Sequence, residues 1–292
     1  MAIRIIADSV SDIPKQLAAK HAVTVLPLTV NFEDASYYDG VDLTRDEFFK
    51  KLAQAKKMPT TSQVPPGVFL QEFEAAIHAG DQVICILMSG KLSGTYQSAL
   101  AAKEMLGSDQ IAILDSGMVS FAIGRIALLM AELATKGHSF DRVAQKGQQM
   151  IDRSVCRFIV DTLTYLTKGG RLKPAEALVG NLLNIKPVLT MQDGELKSWG
   201  KARGRKKAIR LVVDGIKNAG VDLNHKVVSL FHAQDAAYLS ELQIALSAEF
   251  PEMKLDFGEV GCVVGTHSGP SCIAVSYIDM PYSEIFSSEL SV

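Results

Sequence analysis

Short apolar runs alternate with segments of helical periodicity through the first half of the chain. Three of these runs have the length of buried strands, at residues 23–28, 82–88 and 110–115. Apolar residues between them recur at helical spacing, as at Phe69, Phe73 and Ile77. Alternating strands and helices predict crossover connections and a parallel sheet. Because open sheets of this kind bind ligands at the carboxyl ends of their strands, the loops that leave these runs are candidate sites.

The second half has denser turns. Its apolar runs lie at residues 156–160, 185–191, 226–231 and 272–278, with helical periodicity at 208–216 and 239–248. A turn at residues 192–195 predicts a hairpin, and hence a mixed or antiparallel sheet. A charged helical stretch, residues 140–152, separates the halves. For a chain of 292 residues we therefore predict a two-domain α/β fold, with a parallel domain over 1–150 and a mixed domain over 151–292.

Charge and hydropathy exclude several classes of protein. Thirty basic residues nearly balance thirty-two acidic ones, which gives no overall attraction to nucleic acid or to an anionic membrane. The sequence shows neither a signal peptide nor an uncharged apolar run of the roughly 18 residues that a membrane span needs. Its most apolar run, 118–134, contains Arg125 and Glu132, which favours a buried or amphipathic helix. We expect a cytoplasmic protein without a transmembrane segment.

Cysteine and histidine usage predicts no metal site. The four cysteines (Cys85, Cys156, Cys262 and Cys272) are mostly far apart and are expected to be inert, buried thiols. The six histidines are scattered, and no Cys-x-x-Cys or His-x-x-x-His pair suggests zinc.

The first polar segment, residues 8–14, follows the first strand. We expect Ser11 or Asp12 to cap the helix that comes next by accepting from its free N–H groups. A metal-dependent phosphatase would place its two aspartates closer together than Asp8 and Asp12 are. The capping interpretation is therefore preferred.

Two further segments carry hydroxyl groups at predicted helix starts. Thr61 and Ser62 precede Gln63 and a proline pair, which indicates either a helix cap or a set of neutral donors to an anion. Ser93 and Gly94 lie in a glycine-containing loop after an apolar run, where backbone N–H groups at a helix start favour negative charge. The spacing fits neither a Walker A loop nor a nucleophile elbow. Ser93 is therefore predicted to donate to an anion.

Two basic segments follow. The pair Gly169-Gly170 predicts a tight turn that directs the guanidinium of Arg171 outward. The run 201–207, which includes Arg203, fits a solvated helix start, a nucleic-acid contact or a docking patch. We favour a docking patch for an acidic or phosphate-bearing partner over nucleic acid, because one short run in a net-acidic chain is a poor footprint for DNA.

The last segment, residues 265–270, is predicted to be a tight polar loop before a strand. It contains His267 between Thr266 and Ser268. A lone histidine is usually a structural hydrogen-bonding residue, but these neighbours favour a ligand contact. A nearby carboxylate would raise the pKa of His267 and favour the doubly protonated form.

Together and in this order, these segments resemble the DegV family along nearly the whole chain. The motifs that carry the resemblance are Thr61-Ser62-Gln63, Ser89-Gly90 with Ser93-Gly94-Thr95, Gly169-Gly170-Arg171-Leu172, the basic run, and Gly265-Thr266-His267 with Gly269-Pro270. One departure is Ser271-Cys272, where the family often has a further glycine. The resemblance implies the two-domain EDD fold and one bound long-chain fatty acid, with its acyl chain buried and its carboxylate near the domain interface.

The resemblance also implies a role as the lipid-binding subunit of a bacterial fatty acid kinase. The partner kinase would phosphorylate the bound carboxylate with ATP to give an acyl phosphate. The implied carboxylate-binding residues are Thr61, Ser62, Ser93, Gly94 and His267. Arg171 and Arg203 would serve the encounter with the kinase. No cofactor, metal or catalytic residue is expected in this chain, which would be a carrier and not an enzyme by itself.

Elementary energetics agrees with a carrier. Each buried methylene contributes ~0.8 kcal/mol, so a C16 chain could supply on the order of 12 kcal/mol before the costs of binding. The acyl chain could therefore provide the affinity while the carboxylate stays accessible. Two alternatives remain open: an acyl hydrolase that uses Ser93 with His267, and a DNA-binding regulator that uses residues 201–207.

Overall fold

The structure of the protein, a computed structural model, describes residues 2–173 and 184–287. The strands, in chain order, are β1 (Ile3–Asp8), β2 (Val23–Leu26), β3 (Thr29–Asn31), β4 (Ser36–Tyr38), β5 (Thr60–Ser62), β6 (Gln82–Leu87), β7 (Ile111–Asp115), β8 (Ser154–Ile159), β9 (Ile185–Gln192), β10 (Glu195–Arg203), β11 (Lys226–His232), β12 (Lys254–Glu259) and β13 (Ile273–Pro281). The helices are α1 (Lys15–Lys20), α2 (Arg45–Gln54), α3 (Pro66–His78), α4 (Thr95–Leu106), α5 (Phe121–Thr135), α6 (Phe140–Asp152), α7 (Thr164–Lys168), α8 (Arg205–Asn218), α9 (Ala236–Glu249), α10 (Cys262–Ser268) and α11 (Tyr282–Ile285).

The first half forms the predicted parallel sheet, in the order β2-β1-β6-β7. Its strands agree with the predicted runs to within two residues at each end. The carboxyl ends of the four strands lie at one edge of the sheet, because all of them run in the same direction. The loops that leave β1, β6 and β7 therefore lie side by side.

Most of the apolar run 118–134 lies in α5, whose side chains are mostly buried. The two charges that interrupt the run are both paired. Arg125 forms an ion pair with Asp256 of β12 at 2.8 Å, and Glu132 pairs with Lys136 one turn away. In the described residues, no helix combines the length and apolar character that a membrane crossing requires.

The second half forms a six-stranded mixed sheet in the order β10-β9-β8-β13-β11-β12. Its pairs are antiparallel except for β11 with β12. The predicted hairpin is the connection between β9 and β10. The sequence did not predict β12, an edge strand in which charged residues interrupt the apolar ones. It also missed the small sheet β4-β3-β5, whose strands have three residues each.

Successive side chains of β13 point to opposite faces of the mixed sheet, and one of these faces packs against the first half of the chain. Ala274 and Ile278 pack into the core that also contains the parallel sheet. Ile273, Val275 and Tyr277 point to the other face and pack with α8 and α9. The chain passes from one sheet to the other between α6 and β8. The division of domains after residue 150 stays a prediction, and residues 174–183 and 288–292 of the second predicted domain lie outside the described part.

The four cysteines are free thiols, and all of them are buried, as predicted. Burial raises the pKa of Cys156 and of Cys272 to about 12, so neither is a thiolate at neutral pH. In the described part of the chain, no three His, Cys, Asp or Glu side chains are grouped so as to hold a metal ion.

Candidate functional site

A cavity of about 330 Å³ lies where the parallel sheet meets the mixed sheet. The loops that leave β1, β6 and β7 contribute Val10, Met88 and Val119 to its wall. The mixed sheet contributes Phe158 and Phe231. The cavity therefore lies at the carboxyl ends of the parallel strands, and its volume is within the range of roughly 300–1,000 Å³ that small-molecule sites occupy.

All five residues predicted to bind a carboxylate line this one cavity: Thr61, Ser62, Ser93, Gly94 and His267. They come from β5, the loop after β6 and the last turn of α10. Ser62 and the neighbouring Gln63 are exposed, so this polar part of the wall faces the opening. Their role in binding stays a prediction.

Thr61 and His267 form the centre of this polar group. Thr61 Oγ1 lies 3.0 Å from His267 Nε2, and either atom can be the donor. Thr61 is held by the pairing of β5 with β3, where it lies opposite Val30. The other ring nitrogen, His267 Nδ1, is buried without a hydrogen-bond partner in the described residues. This nitrogen faces Gly169, since a Cβ at residue 169 would lie 2.2 Å from it, so a ligand in the cavity would approach the ring from the Thr61 side.

Burial, together with the nearby charge of Arg171, lowers the pKa of His267 to about 4. The ring is therefore neutral at pH 7. The doubly protonated form was predicted only for a ring with a neighbouring carboxylate. The charge that shifts the pKa here is a cation, so that form requires an anion from outside.

The expectation of a tight loop at residues 265–270 was wrong, because residues 262–268 form α10. Gly265 lies inside this helix, where a Cβ would come within 2.8 Å of the rings of Phe48 and Phe49. This glycine permits close packing. Gly269 ends the helix with φ +75°. At the other end of α10, the buried carboxylate of Asp39 accepts from the backbone N–H of Cys262 at 3.2 Å.

Ser93 and Gly94 immediately precede α4, with Gly94 at its N-cap position. Ser93 Oγ lies 2.9 Å from Thr95 Oγ1 and accepts from the backbone N–H of Thr95. Gly94 is closely covered by Gln63, since a Cβ at residue 94 would lie 2.0 Å from Gln63 Oε1. The Gln63 amide in turn donates to Ser98 Oγ at 2.8 Å. Gln63 also lines the cavity and was missing from the predicted set, although its position next to Ser62 was a signal.

Arg171 also lines the cavity, and the predicted outward direction of its side chain was wrong. Its guanidinium turns back to donate from Nη1 to the carbonyl of Gly169 at 2.7 Å and from Nε to the carbonyl of Leu92 at 3.2 Å. Burial lowers its pKa, but an arginine stays charged at neutral pH. Arg203 is exposed at the end of β10 and is not among the residues that line the cavity. The two predicted partner-facing arginines therefore occupy different places.

The geometry weakens both alternatives. Ser93 is bonded to Thr95 and His267 to Thr61, so the Ser93–His267 pair that a hydrolase needs is not formed among the described residues. The basic run 201–207 is divided between the end of β10 and the start of α8. Arg205 within it forms an ion pair with Asp235 and is therefore already occupied. The run therefore does not present all of its cations to DNA.

The segment after β1 differs from its prediction. Residues 9–11 form a single turn of 3-10 helix, and the capping acceptor is the side chain of Asp8, which bonds the backbone N–H of Val10. Asp8 also accepts from the backbone N–H of Met88 at 2.8 Å. Burial raises the pKa of Asp8 to about 7. The expected acceptors have other surroundings, since Ser11 Oγ is buried without a partner in the described residues and Asp12 bonds Ser120.

Comparisons with known proteins agree with this architecture. A family model described as "Uncharacterised protein, DegV family" matches residues 2–280. A DegV domain-containing protein from Caldanaerobacter subterraneus subsp. tengcongensis is 39% identical over 275 residues, which cover 94% of this chain and 98% of that protein.

Two solved structures are also similar. A DegV family protein from Thermus thermophilus, described as binding fatty acid, has a TM-score of 0.89 at 32% identity, with 96% of this chain and 100% of that chain covered. DegV from Bacillus subtilis, described as a fatty acid binding protein, has a TM-score of 0.83 at 31% identity, with 96% and 100% covered. The family match covers almost the whole chain, and the two-domain fold is shared with these structures. The chain therefore belongs to the DegV family.

Proposed function

We propose that this protein binds a long-chain fatty acid in the 330 Å³ cavity, with the carboxylate at the Thr61–His267 pair. The observation that carries the proposal is the division of the cavity wall into an apolar interior and one polar group near the opening. An amphiphile with a single charged head group fits this division. The fatty acids bound by the Thermus thermophilus and Bacillus subtilis proteins support the same ligand class.

The polar group has the chemistry that a carboxylate requires. The Thr61 and Ser93 hydroxyls and the His267 ring can donate to carboxylate oxygens, and the half-buried Arg171 supplies a positive charge beside the ring. Hydrogen bonds to a charged acceptor are roughly twice as strong as neutral ones. A bound carboxylate would also raise the pKa of His267 from its low value and favour a protonated ring beside it.

The apolar part of the wall suits an alkyl chain. Val10, Met88, Phe158 and Val263 present hydrocarbon surface, and each methylene transferred from water contributes ~0.8 kcal/mol. Most of the affinity would thus come from the acyl chain. The carboxylate contributes orientation, and its position near the exposed Ser62 keeps it within reach of another protein.

We further propose that a partner kinase phosphorylates the presented carboxylate with ATP to give an acyl phosphate. The start of α8 supports a docking role, because Lys206 and Lys207 are exposed in its first turn, which contains no acidic residue. Cations at this end of a helix oppose the helix dipole. Their position costs stability, and an acidic or phosphate-bearing partner would offset that cost. Arg203 is exposed immediately before this turn.

Calorimetric titration with palmitic acid and with hexadecanol tests the binding proposal. The two ligands have the same chain length and differ in the head group, so we expect the acid to bind more tightly by roughly 10-fold or more. Equal affinities would remove the carboxylate from recognition, and no binding of either ligand would overturn the proposal. Formation of acyl phosphate with ATP and the purified partner kinase, measured with and without this protein, tests the second step.

A further inference from the structure

A second cavity, of about 670 Å³, lies beside the fatty-acid cavity. Apolar side chains of α1, β2, α9 and β12 form much of its wall, among them Ala18, Val23, Val25, Leu239 and Phe257. Charged or titratable side chains also line it: Asp12, Lys15, Asp39, Arg45, His232 and Glu259. The two cavities share a thin wall. Neighbouring residues in the sequence line opposite sides of it, as Ser9 and Val10 do, and also Cys262 and Val263.

One hydrogen bond crosses this wall. Ser120 lines the fatty-acid cavity and Asp12 lines the second cavity, and Ser120 Oγ donates to Asp12 Oδ2 at 2.5 Å. Ser120 is 1% exposed. The two cavities are thus separated at this point by a serine hydroxyl and a carboxyl group.

Both partners of this bond have unusual backbone conformations. Ser120 has φ 61° and ψ −155°, a region that is occupied essentially by glycine, and Asp12 has φ 49° and ψ 30° in the left-handed region. Ser120 also occupies the N-cap position of α5, but its hydroxyl bonds no N–H group of that helix. The hydroxyl is used for Asp12 instead. Strain that the surrounding structure maintains is typical of residues with a functional role.

We propose that the Ser120–Asp12 hydrogen bond is a polar stop that limits the length of the bound acyl chain. The inference rests on the proposed fatty-acid function. While the bond is intact, the acyl chain stays in the first cavity and does not enter the second. A methylene group that advanced past Ser120 would have to break the bond and leave an oxygen of the buried Asp12 carboxyl group without this partner beside hydrocarbon. The chain length at which the first cavity is full is therefore the length that binds best.

The variant Ser120→Gly tests the stop directly. Glycine adopts φ near +60° without strain, so this variant keeps the fold while it removes the hydroxymethyl group from the wall. Affinity is measured for saturated acids from C14 to C22. In the unaltered protein we expect affinity to rise by about fourfold per methylene and then to stop rising. In Ser120→Gly the affinity should continue to rise with chain length. The acid that is two methylenes longer than the wild-type optimum should bind to this variant roughly 10-fold more tightly than to the wild type.

Ala22→Gly is the matched control. Ala22 has φ 53° and is exposed, and it lines neither cavity, so this change relieves the same kind of strain without opening the wall. A second pair of variants changes Asp12, the partner of Ser120. Asp12→Gly should broaden the length profile, which is the dependence of affinity on acyl chain length. Asp12→Asn keeps an acceptor oxygen and should preserve this profile. If the unaltered protein binds no fatty acid, the proposed function fails. If it binds fatty acid, and Ser120→Gly and Asp12→Gly both keep its length profile, the polar stop alone is overturned.

Discussion

Thr61 Oγ1 and His267 Nε2 lie 3.0 Å apart, although 206 positions separate the two residues in the sequence. One belongs to a short strand of the first half and the other to the last turn of α10 in the second half. The contact forms only when the two halves pack together. The polar end of the cavity is therefore a product of the complete fold, and its two central residues can be tested separately from the acyl wall.

Replacement of Thr61 by valine removes the hydroxyl while it keeps the shape of the side chain. A hydrogen bond to a charged group contributes ~1.5–3 kcal/mol, so we expect the affinity for palmitic acid to fall by roughly 10- to 100-fold. The affinity for hexadecanol should change much less, and titration calorimetry measures both. Equal losses for acid and alcohol would show that Thr61 shapes the acyl space and does not recognise the carboxylate.

Gly169→Ala should displace His267 without altering it. A Cβ at residue 169 would lie 2.2 Å from His267 Nδ1. We expect a loss of about 1–3 kcal/mol in the free energy of unfolding, from overpacking, together with weaker binding of the acid. Gly67→Ala in α3 is the control, because a Cβ there meets nothing within 4 Å and alanine favours a helix. Chemical denaturation compares the two, and equal stabilities would contradict the close approach.

The low pKa of His267 predicts a pH dependence of stability. Its pKa is about 4 in the folded protein and about 6.5 in an unfolded chain. Between these values the unfolded chain binds a proton that the folded protein does not, so this residue lowers stability as the pH falls from about 6.5 to 4. His267→Gln, compared with the unaltered lipid-free protein, should therefore lose less stability across this window. Parallel losses in both proteins would mean that the ring is not buried and neutral.

Arg203 and Arg171 should separate in a paired measurement of bound lipid and acyl phosphate formation. Arg203→Ala should keep its lipid and fail to support the kinase reaction, because the residue is exposed and lies outside the cavity lining. Arg203→Lys should recover only part of the activity, since lysine lacks the planar fork. Arg171→Ala should lose lipid as well as activity because Arg171 lines the cavity. Full kinase activity in Arg203→Ala would remove that residue from the encounter.

Periodicity predicted most elements well because they are regular and buried. The helix α6 has the bounds that its charged, periodic segment predicted, Phe140–Asp152. The strands that escaped prediction are short or at a sheet edge, where no apolar run is required. Local sequence also could not show that, of the glycines near His267, Gly265 permits close packing while Gly269 ends a helix. Gly265 permits a close packing contact inside a helix, and that contact is made with residues far away in the chain.

The candidate site was predicted in composition but not in geometry. The motifs identified the residues that line the cavity, yet the direction of Arg171 was wrong because its acceptors include the carbonyl of Leu92, which is distant in sequence. The low pKa of His267 depends on burial and on Arg171, which only the folded protein brings near. The Ser120–Asp12 bond was likewise invisible, since it joins residues 108 positions apart.

The most direct test of fatty acid binding is mass spectrometry of an organic extract of the purified protein. We expect a fatty acid of roughly C14–C18 at about one molecule per chain, because the apolar cavity would otherwise be an empty void. The acid should be retained through dialysis and released on denaturation. Repeated preparations that contain no lipid, together with no change in Tm when fatty acids are added, would contradict the proposed function.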